Sequence, residues 1–203
     1  MIVLNNLCTG YVRASPLLKD FSYQFDNKVY GILGESGCGK STLLRTIAGL
    51  TKPISGEVFV DGVKINQPNK SGIYMMHQNY TSFDWLTCLD NVLIAKKIQG
   101  KITDEDQDNA KHMLEVVKLG EHIDKYPRQL SGGMRQRLAL ARTLFVNPKV
   151  ILMDEPLSAL DGKTRNEMQD LILNIHKNTG NTILMFTHSL DEANKMCDEI
   201  IKI

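Results

Sequence analysis

A glycine-rich segment that ends in lysine and serine, Gly34 to Ser41, has the most specific spacing for chemistry in this sequence. It fits the pattern GxxxxGK[ST] at every fixed position and lies between a predicted strand and a predicted helix. Glycines let the backbone curl so that its N–H groups point at phosphate oxygens, and the helix adds the positive end of its dipole. Lys40 then supplies a point charge to the β- and γ-phosphates, and Ser41 supplies a hydroxyl to Mg²⁺. The members of this predicted phosphate-binding loop are Gly34, Glu35, Ser36, Gly37, Cys38, Gly39, Lys40, Ser41 and Thr42.

Two consecutive carboxylates, Asp154 and Glu155, follow an apolar run from Val150 to Met153 that predicts a buried strand. In proteins with a phosphate-binding loop, an Asp at the end of such a strand holds Mg²⁺, usually through water. Glu155, one residue further along, is placed to polarise an attacking water. In isolation the pair is better explained as two acids that end a buried strand. Beside the phosphate-binding loop, it predicts a hydrolytic site with Asp154 as a metal ligand.

A third segment, Ser131 to Gly133, opens a predicted helix at Met134. Small residues at a helix N-terminus expose backbone N–H groups at the positive end of the dipole, so this segment predicts a second phosphate-binding device. It belongs to a stretch, from about Trp85 to Val146, in which helical periodicity replaces strand signals. Elsewhere, short β-branched runs alternate with helices, which indicates parallel βαβ units.

With the run from Leu130 to Arg137, the three segments closely resemble the nucleotide-binding subunit of ATP-binding cassette (ABC) transporters over nearly the whole chain. The resemblance implies an α/β fold, a P-loop NTPase of ABC type. Its RecA-like mixed sheet core would carry an antiparallel β edge layer and an inserted helical subdomain. We expect a single ABC ATPase domain over residues 1–203, with the core at about 1–84 and 147–203 and the helical subdomain at about 85–146.

The resemblance also implies roles for further residues. Tyr11 matches the aromatic that stacks on adenine, and Gln78 matches the glutamine that reaches Mg²⁺ and the attacking water. His188 matches the histidine at the γ-phosphate, and Asp161 ends the loop that crosses to the partner subunit. Taken singly, Tyr11, Gln78 and His188 are also explained as an exposed aromatic, a surface amide and a capping or core histidine. The implied catalytic residues are Lys40, Gln78, Glu155 and His188, the metal ligands are Ser41, Gln78 and Asp154, and the nucleotide contacts beyond the loop are Tyr11, Ser131, Gly132, Gly133 and Asp161.

Partners follow from the same resemblance. It implies that ATP and Mg²⁺ bind in a head-to-tail dimer of ATPase subunits, where Ser131 and Gly133 of one copy face the γ-phosphate held by the other. The further implied partners are a transmembrane permease and an extracytoplasmic solute-binding protein, at the cytoplasmic face of the cell membrane. A formal charge of +1 gives no global attraction to nucleic acid, which is not an expected partner. The 4 cysteines include no CxxC pair, which argues against a zinc site.

The sequence resembles importers of the nitrate, sulfonate and taurine group in four segments, Asp84 to Thr87, Tyr126 to Arg137, Met153 to Asp161 and Asp191 to Ala193. His77 and Ser189 depart from the Phe and Asp that are more usual at their positions. The expected function is therefore the ATP-hydrolysing motor of an importer for a small anionic or organic solute. Phe83 and Trp85 either offer a docking surface to the permease or pack under the helical insertion. The end of the chain at Ile203 predicts a minimal motor without a C-terminal sensor.

Three alternatives stay open beside the importer: an exporter-type ABC ATPase, a soluble ABC ATPase of DNA repair or translation, and a non-hydrolysing binding module. The short interval between Gln78 and Ser131 argues against the repair type, which inserts a coiled coil or zinc module there. Glu155 and His188 argue against the binding module. Cys38 is best explained as a small neutral filler. Its alternative, a thiol activated by the helix N-terminus, predicts that maleimide blocks activity and that ATP protects.

Overall fold

The computed structural model describes residues 1–10, 15–35, 37–68, 72–76, 82–100, 102–158 and 160–203. The chain divides into a first unit, Met1–Gln78, Pro148–Ser158 and Ile172–Ile203, and a second unit, Asn79–Asn147 and Ala159–Leu171. The strands found in these ranges are β1 (Ile2–Thr9), β2 (Leu18–Phe25), β3 (Val29–Leu33), β4 (Ser55–Val60), β5 (Val63–Lys64), β6 (Ile73–Met76), β7 (Val150–Asp154), β8 (Thr182–Thr187) and β9 (Glu199–Lys202). The α-helices are α1 (Lys40–Ile47), α2 (Cys88–Gln99), α3 (Asp104–Val116), α4 (Gly132–Phe145), α5 (Gly162–Thr179) and α6 (Leu190–Met196).

An antiparallel sheet of the first unit has the strand order β2-β1-β4-β5. Its last two strands are joined at Asp61 and Gly62, whose φ angles of 49° and 76° are those of the type I′ turn that an Asp-Gly pair favours. The Asp61 carboxylate lies 2.8 Å from the Lys149 ammonium and 2.8 Å from the N-terminal ammonium. These two cations lower the pKa of Asp61 to about 2.

The larger sheet of the first unit has the strand order β6-β7-β8-β3-β9, and every pairing is parallel. Its three central strands are buried along their whole length. A parallel strand covered on both faces reads as a continuous apolar run, which is why these strands were visible in the sequence. The core of the unit takes residues from both sheets and from α1, with the rings of Phe25 and Tyr30 in edge contact at 4.9 Å.

The second unit contains α2, α3, α4 and the first part of α5. Thr103 caps α3 in a capping box with Asp106, and Asp104 and Glu105 add acids near the positive end of the helix dipole. Thr87 caps α2 by accepting from the N–H of Asp90. The helical periodicity of this stretch is therefore matched by the helices observed.

One helix, α6, was not predicted. Its 7 residues make fewer than two turns, too few for a periodic pattern. Ser189 caps it by accepting from the N–H of Glu192 at 3.3 Å. Across the described ranges, no helix combines the length and the apolar character that crossing a membrane requires.

Candidate functional site

Three segments with predicted roles at the phosphates follow strands that end at the same edge of the parallel sheet. They are the phosphate-binding loop, the pair Asp154 and Glu155, and His188. Leu33, the last residue of β3, lies opposite Thr187 of β8, and Phe186 lies opposite Asp154 of β7. The phosphate-binding loop and the segments after β7 and β8 therefore begin at the carboxyl ends of three adjacent strands. Open α/β sheets bind their ligands at this edge.

The phosphate-binding loop turns through glycines. Gly37 and Gly39 have φ angles of +86° and +104°, in the left-handed region that glycine adopts without strain. Space is also limiting, since a Cβ at Gly39 would lie 2.8 Å from the Cβ of Leu17. The helix α1 begins at Lys40 immediately after this turn. Because Gly39 has no side chain with which to cap it, the N-terminus of α1 suits an anion.

Lys40 is held at the centre of the loop. Its side chain is buried, and its Nζ donates to the carbonyl oxygens of Gly34 at 2.5 Å and of Glu35 at 2.6 Å. A buried ammonium needs such partners, because its desolvation is otherwise costly. The loop therefore fixes the position of a positive charge beside the N-terminus of α1.

Cys38 lies against the first glycine of the loop. A Cβ at Gly34 would lie 2.6 Å from the Cys38 Sγ, and the Lys40 Nζ lies 3.9 Å from the same sulfur. The thiol is partly exposed. Burial raises the pKa of Cys88 to about 11 and that of Cys197 to about 12. At neutral pH, little of either thiol is therefore in the reactive thiolate form.

The two carboxylates sit in different surroundings. Asp154 ends β7 and is buried. Glu155 has a φ of 47°, in the left-handed region that a non-glycine residue rarely occupies. Its N–H donates to the carbonyl of Phe186 at 3.0 Å, and the Ser158 hydroxyl donates to its carbonyl at 3.1 Å. Strain of this kind persists where the surrounding structure fixes it, often at functional sites.

His188 faces Glu155. The Nδ1 of His188 lies 3.6 Å from the Oε1 of Glu155, and the His188 side chain is 66% exposed. The turn that carries it is fixed by the Thr187 hydroxyl, which donates to Glu192 at 2.7 Å and accepts from the N–H of Ser189 at 3.0 Å. This support was not predicted, although Ser189 followed three residues later by Glu192 has the spacing of a helix start.

The second unit holds the other predicted nucleotide contacts that the structure describes. Ser131 caps α4 by accepting from the N–H of Met134 at 3.3 Å, with Gly132 and Gly133 in the first turn. The Asp161 Oδ1 accepts from the N–H groups of Lys163 and Thr164 at the start of α5, at 3.1 Å each. The pKa of Asp161 is lowered, first by the hydrogen bond from the Thr164 side chain.

The remaining predicted site residues, Tyr11, Ser36 and Gln78, lie outside the described residues, as does His77. Of the two aromatics with open alternatives, Trp85 is 73% exposed. The interpretation that Trp85 packs under the insertion is therefore wrong. Phe83 is half-buried, with its ring 5.2 Å from that of Trp85 and 4.9 Å from the guanidinium carbon of Arg142.

Comparison with known proteins gives consistent matches. The sequence profile of the ABC transporter family matches residues 18–158. The taurine import ATP-binding protein of Ruegeria pomeroyi is 44% identical over 168 residues, which cover 83% of this chain and 62% of that protein. The nitrate import ATP-binding protein of Synechococcus elongatus is 42% identical over 172 residues, 84% of this chain and 62% of that protein. The chain thus spans less than two thirds of the length of these relatives.

Solved structures agree with the sequence matches. A dimeric ATP-binding cassette in a post-hydrolysis state, bound to ADP and Pi, has a TM-score of 0.86 at 32% identity and covers 100% of this chain and 94% of that chain. A dimeric bacterial ABC transporter cassette gives a TM-score of 0.85 at 31% identity, with the same coverage. The α/β fold, with its parallel and antiparallel sheets, is that of the ABC-type P-loop NTPases, as predicted. This chain belongs to the ABC transporter family.

Proposed function

We propose that this chain is the ATP-hydrolysing subunit of an ABC importer and acts as a head-to-tail dimer. The observation that carries the proposal is the convergence of the phosphate-binding loop, Asp154 with Glu155, and His188 at the ends of three adjacent parallel strands. Lys40 and a helix N-terminus bind phosphate, while a carboxylate and an imidazole lie 3.6 Å apart beside them. This donor set suits hydrolysis of a phosphoanhydride.

The chemistry follows from charge and position. Lys40 and the loop N–H groups stabilise negative charge that develops on the transferred phosphoryl group, which is where most catalysis of this reaction lies. Glu155 orients and polarises the attacking water, and His188 contacts the γ-phosphate. Mg²⁺, when bound, neutralises phosphate charge, and we assign it to Ser41, Asp154 and Gln78.

The donor set fits magnesium. Mg²⁺ in nucleotide sites takes one or two carboxylates, keeps several waters and uses the substrate's phosphates. The buried Asp154 at the end of β7 supplies one such carboxylate. No group of three or more His, Cys, Asp or Glu side chains suited to a metal occurs in the described part of the chain, so an all-protein cage for another ion has no support there.

A second copy completes the proposed site. We assign Ser131, Gly132 and Gly133 of one copy to the γ-phosphate held by the other, because they begin α4 with bare backbone N–H groups. Asp161 belongs to the loop that reaches the partner, and Tyr11 stacks on adenine. We also assign the first unit to the RecA-like core and the second to the helical subdomain. Hydrolysis by a single copy is then slow, because its site is incomplete.

The proposed cargo is a small anionic or organic solute, supported by relatives named for taurine and nitrate import. A transmembrane permease binds the dimer at the cytoplasmic face of the cell membrane, and an extracytoplasmic solute-binding protein delivers the cargo. Trp85 is the proposed contact to the permease. Its loop is fixed by the buried Asn91, whose side-chain amide donates to the carbonyls of Phe83, Leu86 and Thr87 at 2.9–3.1 Å. A large exposed aromatic on a fixed loop suits a protein interface.

Affinity purification from detergent-solubilised native membranes tests the proposal, with mass spectrometry of the proteins recovered. We expect a multi-span membrane protein with the wild-type chain. Trp85→Ala should reduce its recovery at least fivefold, while Ile98→Ala, which truncates another exposed apolar residue of the same unit, should not. Recovery of ribosomes, repair proteins or soluble partners alone would refute the transport function and leave the ATPase assignment standing.

A further inference from the structure

Two helices of the second unit, α4 and α5, meet at a glycine. An ideal Cβ at Gly133 would lie 2.5 Å from the Cγ2 of Thr164, whereas a Cβ at Gly132 would enter open space. Gly133 is not among the glycines with positive φ, so its backbone conformation does not require glycine. What requires glycine at this position is the methyl group of Thr164.

Thr164 has a second contact, with Asp161. The N–H of Thr164 donates to the Asp161 Oδ1 at 3.1 Å, and its side chain is hydrogen-bonded to the same carboxylate. The hydrogen bond from the Thr164 side chain to Asp161 fixes the direction of the hydroxyl branch, and the methyl branch on the same Cβ then faces Gly133. The methyl branch contacts Gly133 and the hydroxyl branch binds Asp161.

The contact between the helices continues one turn further. The Arg137 Nη2 lies 2.5 Å from the Glu167 Oε2, and the Arg137 side chain is 8% exposed. Arg137 is four residues beyond Gly133 on α4, and Glu167 is three beyond Thr164 on α5, so both pairs lie along one line. This charge-assisted pair, in which Arg137 is buried and Glu167 is half-buried, opposes sliding of one helix along the other, because sliding would take the carboxylate away from the buried guanidinium.

We propose that Thr164 is a positioning residue that joins the start of α4, Ser131–Gly133, to the loop ending at Asp161, so that the two segments move as one body. The functional consequence rests on the proposed function, in which both segments reach the second copy. The linkage itself rests only on the contacts of Thr164. Gly133 is then needed for helix packing as well as for approach of a phosphate.

A double-mutant cycle on the full chain tests the methyl contact by thermal unfolding. Gly133→Ala should lower Tm by about 4–8 °C through overpacking. Gly132→Ala, the matched control, should change Tm by less than about 2 °C. Thr164→Ser, which removes Cγ2 and keeps the hydroxyl, should lower Tm slightly alone. In the Gly133→Ala background it should restore more than half of the lost Tm, and additive losses would overturn the proposal.

Thr164→Val tests the hydroxyl contact, because it keeps a methyl toward Gly133. It should raise the pKa of Asp161 toward its usual value in an NMR titration and lower kcat about tenfold at unchanged KM for ATP. Thr164→Ser, which keeps the hydroxyl, should keep the lowered pKa of Asp161. An unshifted Asp161 pKa, or an unchanged kcat with a shifted pKa, would overturn the positioning role. A wild-type chain without ATPase activity would refute the proposed function alone, since the Tm and titration results decide the linkage without nucleotide.

Discussion

Replacement of Glu155 by Gln separates the role of Glu155 as a catalytic base from its contact with His188. Gln has the same shape, and the backbone hydrogen bonds of residue 155 to Phe186 and Ser158 do not involve the carboxylate. The left-handed turn should therefore persist. The substitution removes both the proton acceptor and the carboxylate charge next to His188. These two losses should lower kcat by different factors.

Loss of the contact between the Glu155 carboxylate and His188 is the smaller effect. The two side chains lie 3.6 Å apart with His188 66% exposed, and an exposed pair contributes about 0–1 kcal/mol, which is at most about fivefold in rate. Loss of a general base costs about 10²–10⁴-fold, or about 2.7–5.5 kcal/mol. We therefore expect kcat to fall at least 100-fold, with the Kd for ATP changed less than about threefold, and an ATP-bound dimer to accumulate.

Steady-state hydrolysis, equilibrium ATP binding and size-exclusion chromatography with ATP measure these three quantities. The matched control is Glu192→Gln, which keeps an oxygen acceptor for the Thr187 hydroxyl close to the same turn. It should retain kcat within about threefold. A Glu155→Gln variant that keeps more than a fifth of the wild-type kcat would refute the assignment, because loss of the contact with His188 alone would then explain the change.

Three further predictions concern the first unit. Lys40→Ala should weaken ATP binding about 10- to 100-fold, since a charge-assisted hydrogen bond contributes about 1.5–3 kcal/mol, and isothermal titration with ATP measures this. Unchanged affinity and rate would contradict the role of Lys40. Maleimide should label Cys38 and block hydrolysis, because the adduct fills the space beside Gly34, and bound ATP should protect the thiol. Activity assays of maleimide-treated wild type and maleimide-treated Cys38→Ser check this, with the labelled positions mapped by mass spectrometry. Full activity of quantitatively labelled protein would show that the loop tolerates the adduct. Asp61→Asn should destabilise the chain by about 0.5–1 kcal/mol at pH 6, a small value because Asp61 is 43% exposed. The pKa of Asp61 in the folded protein is lowered to about 2, so this stabilisation is present above about pH 4 and is lost as pH falls through 2. Urea unfolding of wild type and Asp61→Asn at pH 6, 4 and 3 should therefore show a difference in unfolding free energy that shrinks as the pH falls. A constant difference across this range would exclude the two cations as its cause.

The fold could be predicted well because its signals are local. Buried strands such as β7 are continuous apolar runs, the Asp61–Gly62 turn has a specific dipeptide, and Thr103 caps α3 through neighbouring residues. Short α6 was missed because its cap and 7 residues carry too little periodicity. Tyr11, Ser36 and Gln78 lie outside the described residues.

The residue types that phosphate chemistry needs could be recognised without a structure, since the spacing of a phosphate-binding loop is a local property. Which segments are neighbours depends on how the strands and helices pack. β8 lies between β3 and β7 in the sheet, which brings His188 to 3.6 Å from Glu155. The need for glycine at 133 likewise depends on Thr164, a residue of another helix. Such contacts are set by strand order and helix packing, which depend on the whole chain and have no signature in any one segment.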